Sequence, residues 1–230
     1  MLGVFLMSLG RRSTLGGSLG CYRRSMGWYV DRVLPHIMDK ATGSKRFDEL
    51  RTQTTENLFG EVLEIGFGSG TNVKFFPDAV TKVYAVDPAT IGRDMAEPRI
   101  KKRGIAVEYI GLDGAVLSLP DNSVDCALST LTLCTIPNVA QALQEVFRVL
   151  KPGGTFHCFE HGLSPITKKQ KWQHRLNSVE KFVAGGCHLN RDIKKLIDDS
   201  PLLWTQYEDF DLPRTVGLFH LSIGVATAKK

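Results

Sequence analysis

The stretch EVLEIGFGSGTN, residues 61–72, joins a short apolar run to three glycines at every second position, Gly66, Gly68 and Gly70. An apolar run of this length bounded by glycine reads as a buried strand, the first, over residues 61–66. Glycines this dense after it let the backbone turn tightly and pass close to a ligand. Three ligand classes compete for such a loop. A phosphate-binding P-loop ends in Gly-Lys-Ser/Thr, whereas Gly70 is followed by Thr71 and Asn72, so that class is excluded. The dinucleotide fingerprint GxGxxG needs a third glycine at position 71, which is threonine, so the GxGxG spacing disfavours NAD. Two carboxylates sharpen the choice: Glu64 lies two residues before Gly66, and Asp87 closes a second strand-like run, Thr81 to Val86. In an open parallel sheet both fall at the carboxyl ends of strands, where ligands bind. A carboxylate there accepts both hydroxyls of a ribose, and the loop offers no basic residue for a pyrophosphate. A cofactor with a ribose and no phosphate fits best.

Outward from this loop the chain alternates strand and helix. Ala106 to Ile110 and Val124 to Ser129 read as strands, and Val139, Leu143, Val146, Phe147 and Leu150 fall on one helical face between Pro137 and Leu150. Lys151-Pro152-Gly153-Gly154 stops that helix, and Thr155 to Phe159 is a fifth strand. Strands separated by helices of this length pair in parallel through right-handed crossovers, which predicts an α/β, doubly wound sheet. Before it, residues 26–60 read as helical cover, with Val30, Val33, Leu34 and Ile37 at helical spacing broken by Pro35. After it come helices near Pro165 to Phe182 and Asn190 to Asp198. Two strands follow, Leu203 to Phe210 and Leu218 to Ala228, expected as an antiparallel pair across a Pro-Arg loop at the sheet edge.

Four motifs in order now make a resemblance. ExGxGxG, an acid closing the second strand, LPDNSVD (Leu119 to Asp125) and RVLKPGG (Arg148 to Gly154) together resemble class I S-adenosylmethionine-dependent methyltransferases, over residues 26–230. The resemblance implies a Rossmann-like seven-stranded sheet of order 3-2-1-4-5-7-6 with strand 7 antiparallel, S-adenosyl-L-methionine as cofactor, and methyl transfer to a small molecule. STLTLCTIPN (Ser129 to Asn138), EHG (Glu160 to Gly162) and GGCHLNRD (Gly185 to Asp192) are similar to a narrower branch, the small methyltransferase-like proteins related to thiol S-methyltransferases. A thiol is therefore one expected acceptor. A quinone- or lipid-like acceptor methylated at carbon or oxygen is the alternative, and a non-catalytic cofactor-binding protein is the alternative from another class. Animal members of that branch carry a hydrophobic N-terminal anchor, which MLGVFLMSLG does not match, so membrane attachment does not carry over.

By resemblance, Gly66, Gly68 and Gly70 line the methionine and ribose part of the cofactor and Asp87 binds the ribose hydroxyls. Glu64 is expected to order the loop through backbone N–H groups and to approach the cofactor amino group. Asp113, Gly114 and Ala115 are candidates for the adenine pocket, with Asp113 earlier than the family pattern places its acid. Ser129 and Thr130, closing the fourth strand, are expected to face cofactor and acceptor. An acceptor that arrives protonated needs a base. His161, with Glu160 beside it, is the first candidate and His188 the second, each weighed against a satisfied structural histidine. Trp172, Phe182 and Trp204 are candidates for walling an apolar acceptor site, against an ordinary packing role.

Composition bounds the remaining readings. A chain of 230 residues, 43% hydrophobic, suffices for one domain: residues 26–230, divided into helical cover (26–60), cofactor-binding core (61–160), substrate-side cover (161–200) and a final strand pair (201–230). The net charge of +5 suggests nucleic acid only superficially. Arg11, Arg12, Arg23 and Arg24 precede the first acid, Asp31, and the rest carries 25 basic against 24 acidic residues. No nucleic-acid partner is expected. The basic residues 1–25 read as a flexible tail, with a mitochondrial transit peptide as the alternative, and MLGVFLMSLG is too short to span a bilayer. Cys21, Cys126, Cys134, Cys158 and Cys187 contain no CxxC pair. Neither a disulfide framework nor a metal site is expected, and free thiols point to a reducing, cytoplasmic setting.

Overall fold

A computed structural model of the chain describes residues 27–30, 32–212 and 219–230. The basic tail, Cys21 and the Pro-Arg loop lie outside the described residues.

Seven strands form one sheet: β1 (Gly60–Ile65), β2 (Val80–Val86), β3 (Ala106–Gly111), β4 (Val124–Thr130), β5 (Leu150–Gly162), β6 (Leu202–Asp211) and β7 (His220–Ala228). Their order is β3-β2-β1-β4-β5-β7-β6. The first five pair in parallel, and β7 runs antiparallel to both β5 and β6. The order and the reversed seventh strand are those expected. The switch point lies between β1 and β4, where the chain leaves for β2 on one side and returns on the other. A crevice opens there at the carboxyl ends.

Alternation along β1 divides the core. Leu63 and Ile65 join Leu143, Val146, Phe156 and Ile197 on one face, while Val62 joins Val73, Val83 and Leu128 on the other. Each fully buried aliphatic side chain contributes roughly 1.5–3 kcal/mol. Among the helices, α1 (Leu34–Thr42) and α2 (Asp48–Thr55) precede the sheet, and α3 (Thr90–Arg103) links β2 to β3. Helix α4 (Val139–Val149) links β4 to β5, and α5 (Thr167–Val183) and α6 (Ile193–Asp198) link β5 to β6. Helix α4 buries Val139, Ala142, Leu143, Val146 and Val149, and the Asn138 side chain caps its start by accepting the Gln141 N–H. Among the described residues, no helix is long and apolar enough to cross a membrane.

Residues 27–30 and Arg32 are helical, Val33 is in a turn, and a new helix, α1, starts at Leu34 with Pro35 in its first turn, where a missing N–H costs nothing. Two boundaries differ from expectation for physical reasons. Lys151-Pro152-Gly153-Gly154 does not separate α4 from β5. Pairing with β4 starts at Leu150 and resumes at Thr155, so the four residues form an irregularity within β5, with Gly153 at φ +77°. Strand β1 ends at Ile65, because Gly66 at φ +76° has left the extended conformation.

Candidate functional site

The glycines do three different things. At Gly66 a Cβ would fall 2.0 Å from Thr132 Oγ1, on a backbone that L residues rarely adopt. Only glycine lets β1 turn beneath the segment that follows β4. Gly68, at φ +53°, donates its N–H to Asp87 Oδ2 at 2.8 Å, and Asp87 Oδ1 accepts from Ala89 N–H at 2.7 Å. Each carboxylate oxygen keeps a lone pair for a hydroxyl. Burial pushes the Asp87 carboxyl above its usual range, against these two backbone bonds. Gly70 turns away from the crevice: its Cβ would meet Ala96 Cβ at 3.0 Å and Val73 Cγ2 at 3.1 Å. It serves packing against α3, which corrects its expected place beside the cofactor. Gly92, unnoticed in the sequence, lets α3 approach; a Cβ there would lie 2.7 Å from Gly68 O.

Beneath the loop is a buried polar network that the motifs did not announce. Arg51 of α2, 2% exposed, donates to Asn72 Oδ1, to Thr130 Oγ1 at 3.3 Å and to Thr42 O at 3.2 Å. Asn72 Nδ2 donates in turn to Glu64 Oε1 at 2.6 Å and Thr130 Oγ1 at 2.9 Å. Glu64 therefore orders the loop through the Asn72 amide rather than through backbone N–H groups. Its Oε2 is buried with no hydrogen-bond partner among the described residues. Burial raises its carboxyl to about 8. A second network ties the cover to the loop. Asp39 of α1 accepts from Ser69 Oγ and from both terminal nitrogens of Arg99, which also donates to Ser69 O.

These elements enclose a cavity of about 620 Å³. Gly66, Gly68, Asp87, Asp113, Gly114 and Thr130, all candidate cofactor residues, line it. Asp113 Oδ1 accepts from Ala115 N–H at 2.9 Å, so Ala115 supports that wall from outside the lining. Ser129 is fully buried and donates to Glu160 Oε1, so it does not face the cavity. The remaining walls are largely apolar: Val30, Leu34 and Met38 from the cover, and Leu131, Ile136 and Pro137 after β4. Leu131 holds φ +54°, an uncommon conformation for a branched residue, next to the site.

None of the expected bases lines the cavity. Glu160 is fully buried, and Thr132 N–H donates to its Oε1 at 3.1 Å and Oε2 at 2.9 Å, so it shapes the segment after β4. Burial raises its carboxyl to about 8. His161 Nε2 lies 2.8 Å from Cys187 Sγ, which is 3.2 Å from Cys134 Sγ. The His188 backbone N–H donates to Cys134 O at 3.0 Å, and burial lowers its imidazole. Trp172 and Phe182 are about half exposed on α5, and Trp204 meets the Tyr207 ring edge-on at the sheet edge; none of the three walls the cavity.

Residues 63–158 match the family described as a methyltransferase domain. A thiol S-methyltransferase of Rattus norvegicus, TMT1B, is 31% identical over 209 residues, covering 83% of this chain and 82% of its own. A ubiquinone/menaquinone biosynthesis C-methyltransferase of Escherichia coli, UbiE, is 28% identical over 177 residues, covering 71% and 70%. Among solved structures, a geranyl diphosphate methyltransferase in complex with SAM superposes with a TM-score of 0.65 at 15% identity, covering 88% of this chain and 91% of that one. Fold and crevice thus define a methyltransferase that uses S-adenosylmethionine. The chain belongs to the methyltransferase family that includes the thiol S-methyltransferases.

The residues present fit that cofactor. Gly66 and Gly68 remove side chains where the backbone turns under the cavity, Asp87 offers acceptor positions for two ribose hydroxyls, and the unpartnered Glu64 Oε2 lies beside the loop. Asp113 and Gly114 complete the lining. When bound, the cofactor supplies a methyl group on a positively charged sulfur.

Proposed function

We propose that this methyltransferase acts on the sulfur of a small, apolar thiol. One observation carries the reading: among the described residues, no histidine, cysteine, lysine, glutamate or tyrosine lines the cavity, and its ionisable lining residues, Asp39, Arg51, Asp87 and Asp113, each already hold at least one hydrogen bond. An acceptor in this cavity must reach its nucleophilic form without help from the lining. A thiol, with a pKa near ~8.5, is a few per cent thiolate at neutral pH, whereas a phenol near ~10 is far less ionised. The apolar walls suit a thiol with a hydrophobic body, and the rat relative named above is a thiol S-methyltransferase.

The test is a pH profile of kcat/KM, read as S-adenosylhomocysteine formed, for two thiols of different pKa and one phenol. The inflection is expected to move with the acceptor's own pKa, with the phenol inert. An inflection fixed by the protein and shared by all acceptors, or turnover of the phenol alone, would overturn the proposal. His188→Gln is expected to keep kcat within about twofold, because a general base contributes on the order of 10²-fold or more.

A further inference from the structure

Away from the cavity, three side chains from three segments converge. Cys134 comes from the segment after β4, His161 from the end of β5, and Cys187 from the Gly-Gly loop after α5. Their Sγ, Nε2 and Sγ atoms lie within 4.8 Å of one another, and the side chains are 1%, 6% and 7% exposed. We propose that Cys134, His161 and Cys187 form a site for a thiophilic divalent cation, zinc, which clips together two walls of the cavity.

The chemistry of the donors supports this. Two thiolates and an imidazole are borderline-soft ligands that suit zinc. Two thiolates and Zn²⁺ sum to no net charge, so the complex adds no uncompensated charge to the interior. Zinc–sulfur bonds of ~2.3 Å and zinc–nitrogen bonds of ~2.0 Å in a tetrahedron set S···S near ~3.8 Å and S···N near ~3.5 Å. The observed separations of 3.2 and 2.8 Å need to open by several tenths of an ångström. Thr135 and Gly185, next to Cys134 and two residues before Cys187, both line the cavity. The metal would therefore fix the spacing of those two walls.

Other features of the surroundings bear on the site. Arg191 holds the Cys134 segment by donating to Leu133 O and Ile136 O. His161 Nδ1 has no hydrogen-bond partner among the described residues, and the ring stands edge-on to Phe219 at 5.7 Å. Among the described residues no fourth His, Cys, Asp or Glu joins the group, which leaves one tetrahedral position for water or an exogenous thiol. Cys126 and Cys158 show the contrast: each is buried away from any such group and behaves as a small core residue. The expectation of no metal site rested on the missing CxxC pair. Donors gathered from three distant segments leave no such spacing to read.

The test uses the full chain, purified under reducing conditions without chelator. Plasma mass spectrometry is expected to find about one zinc per chain, and replacement by cobalt to give thiolate-to-cobalt charge-transfer absorption of two sulfur ligands. Cys134→Ser, Cys187→Ser and His161→Gln are each expected to weaken zinc binding by more than the ~10–100-fold cost of losing an outer-shell partner. Cys158→Ser is expected to bind as the parent does. Circular dichroism confirms that each variant is folded, and the cobalt spectrum of the unaltered protein stands even where one is not. Absence of zinc, equal zinc in a Cys134→Ser/Cys187→Ser double variant, or a Cys134–Cys187 disulfide formed in preference under these conditions overturns the proposal.

Discussion

Glu64 and Glu160 are two buried carboxyls at the ends of β1 and β5, and what each holds sets the two sides of the site apart. Glu64 takes hold of Asn72, eight residues further along the same loop. Glu160 takes hold of Thr132, 28 residues earlier and on another strand's exit. The Glu64 contact thus stays within one loop, which is braced from below by Arg51. The Glu160 contact joins distant segments, with Leu131 in a left-handed conformation beside it. A local device keeps its shape through its own sequence, whereas an assembled one depends on every element that reaches it.

That contrast can be broken most forcefully at Arg51. Arg51→Met leaves Asn72 Oδ1 and Thr42 O short of a donor in a buried setting and is expected to cost about 3–5 kcal/mol in denaturant unfolding. A loss below about 1 kcal/mol would mean that the bracing is not structural. Next comes Asp87→Ala, which removes acceptors for the ribose hydroxyls and frees two backbone N–H groups. Calorimetry should show S-adenosylmethionine binding weakened about 100-fold, the effect of ~3 kcal/mol. Unchanged affinity would remove Asp87 from the cofactor site.

Gly66→Ala probes the seam between the two sides, because its new methyl would strike Thr132. A loss of about 2 kcal/mol is expected from the clash and the positive φ, read as a lower Tm. The smallest effect is also the most even-handed, since it reports on both carboxyls. Their folded-state values are raised to about 8 by burial, so the stability they contribute is present at low pH and is lost as pH rises through 8. Stability should fall by on the order of 1 kcal/mol per carboxyl between pH 7 and 8. Glu64→Gln and Glu160→Gln should each flatten that slope. A slope untouched by both variants would show that these carboxyls are ionised in the folded protein.

The same division explains what could be read from the sequence. Gly66, Gly68 and Asp87 were legible because a backbone that bends against a ligand needs glycine, and because a strand-closing acid falls at a fixed place in a parallel sheet. The sheet order followed from the resemblance, and the structure repeats it. Arg51 was not legible: a lone arginine on α2 among polar neighbours looks like any solvated residue, and only tertiary packing buries it. Gly92 did leave a signal, a glycine at the start of a helix just after Asp87-Pro88. The surroundings of His161 were not legible because its neighbours in space, Cys134 and Cys187, are 27 and 26 residues away in the chain.

The approach of Gly92 to Gly68 also bears on redesign. With helix α3 against the loop backbone, the floor under Gly68 cannot be lowered by trimming a side chain, since neither residue has one. Room for a bulkier cofactor analogue, one carrying a longer alkyl group on its sulfur, has to be cut from Leu131, Ile136 or Leu34 instead. Those same side chains meet the acceptor in the proposed reaction, so a change in what is transferred brings with it a change in what is accepted.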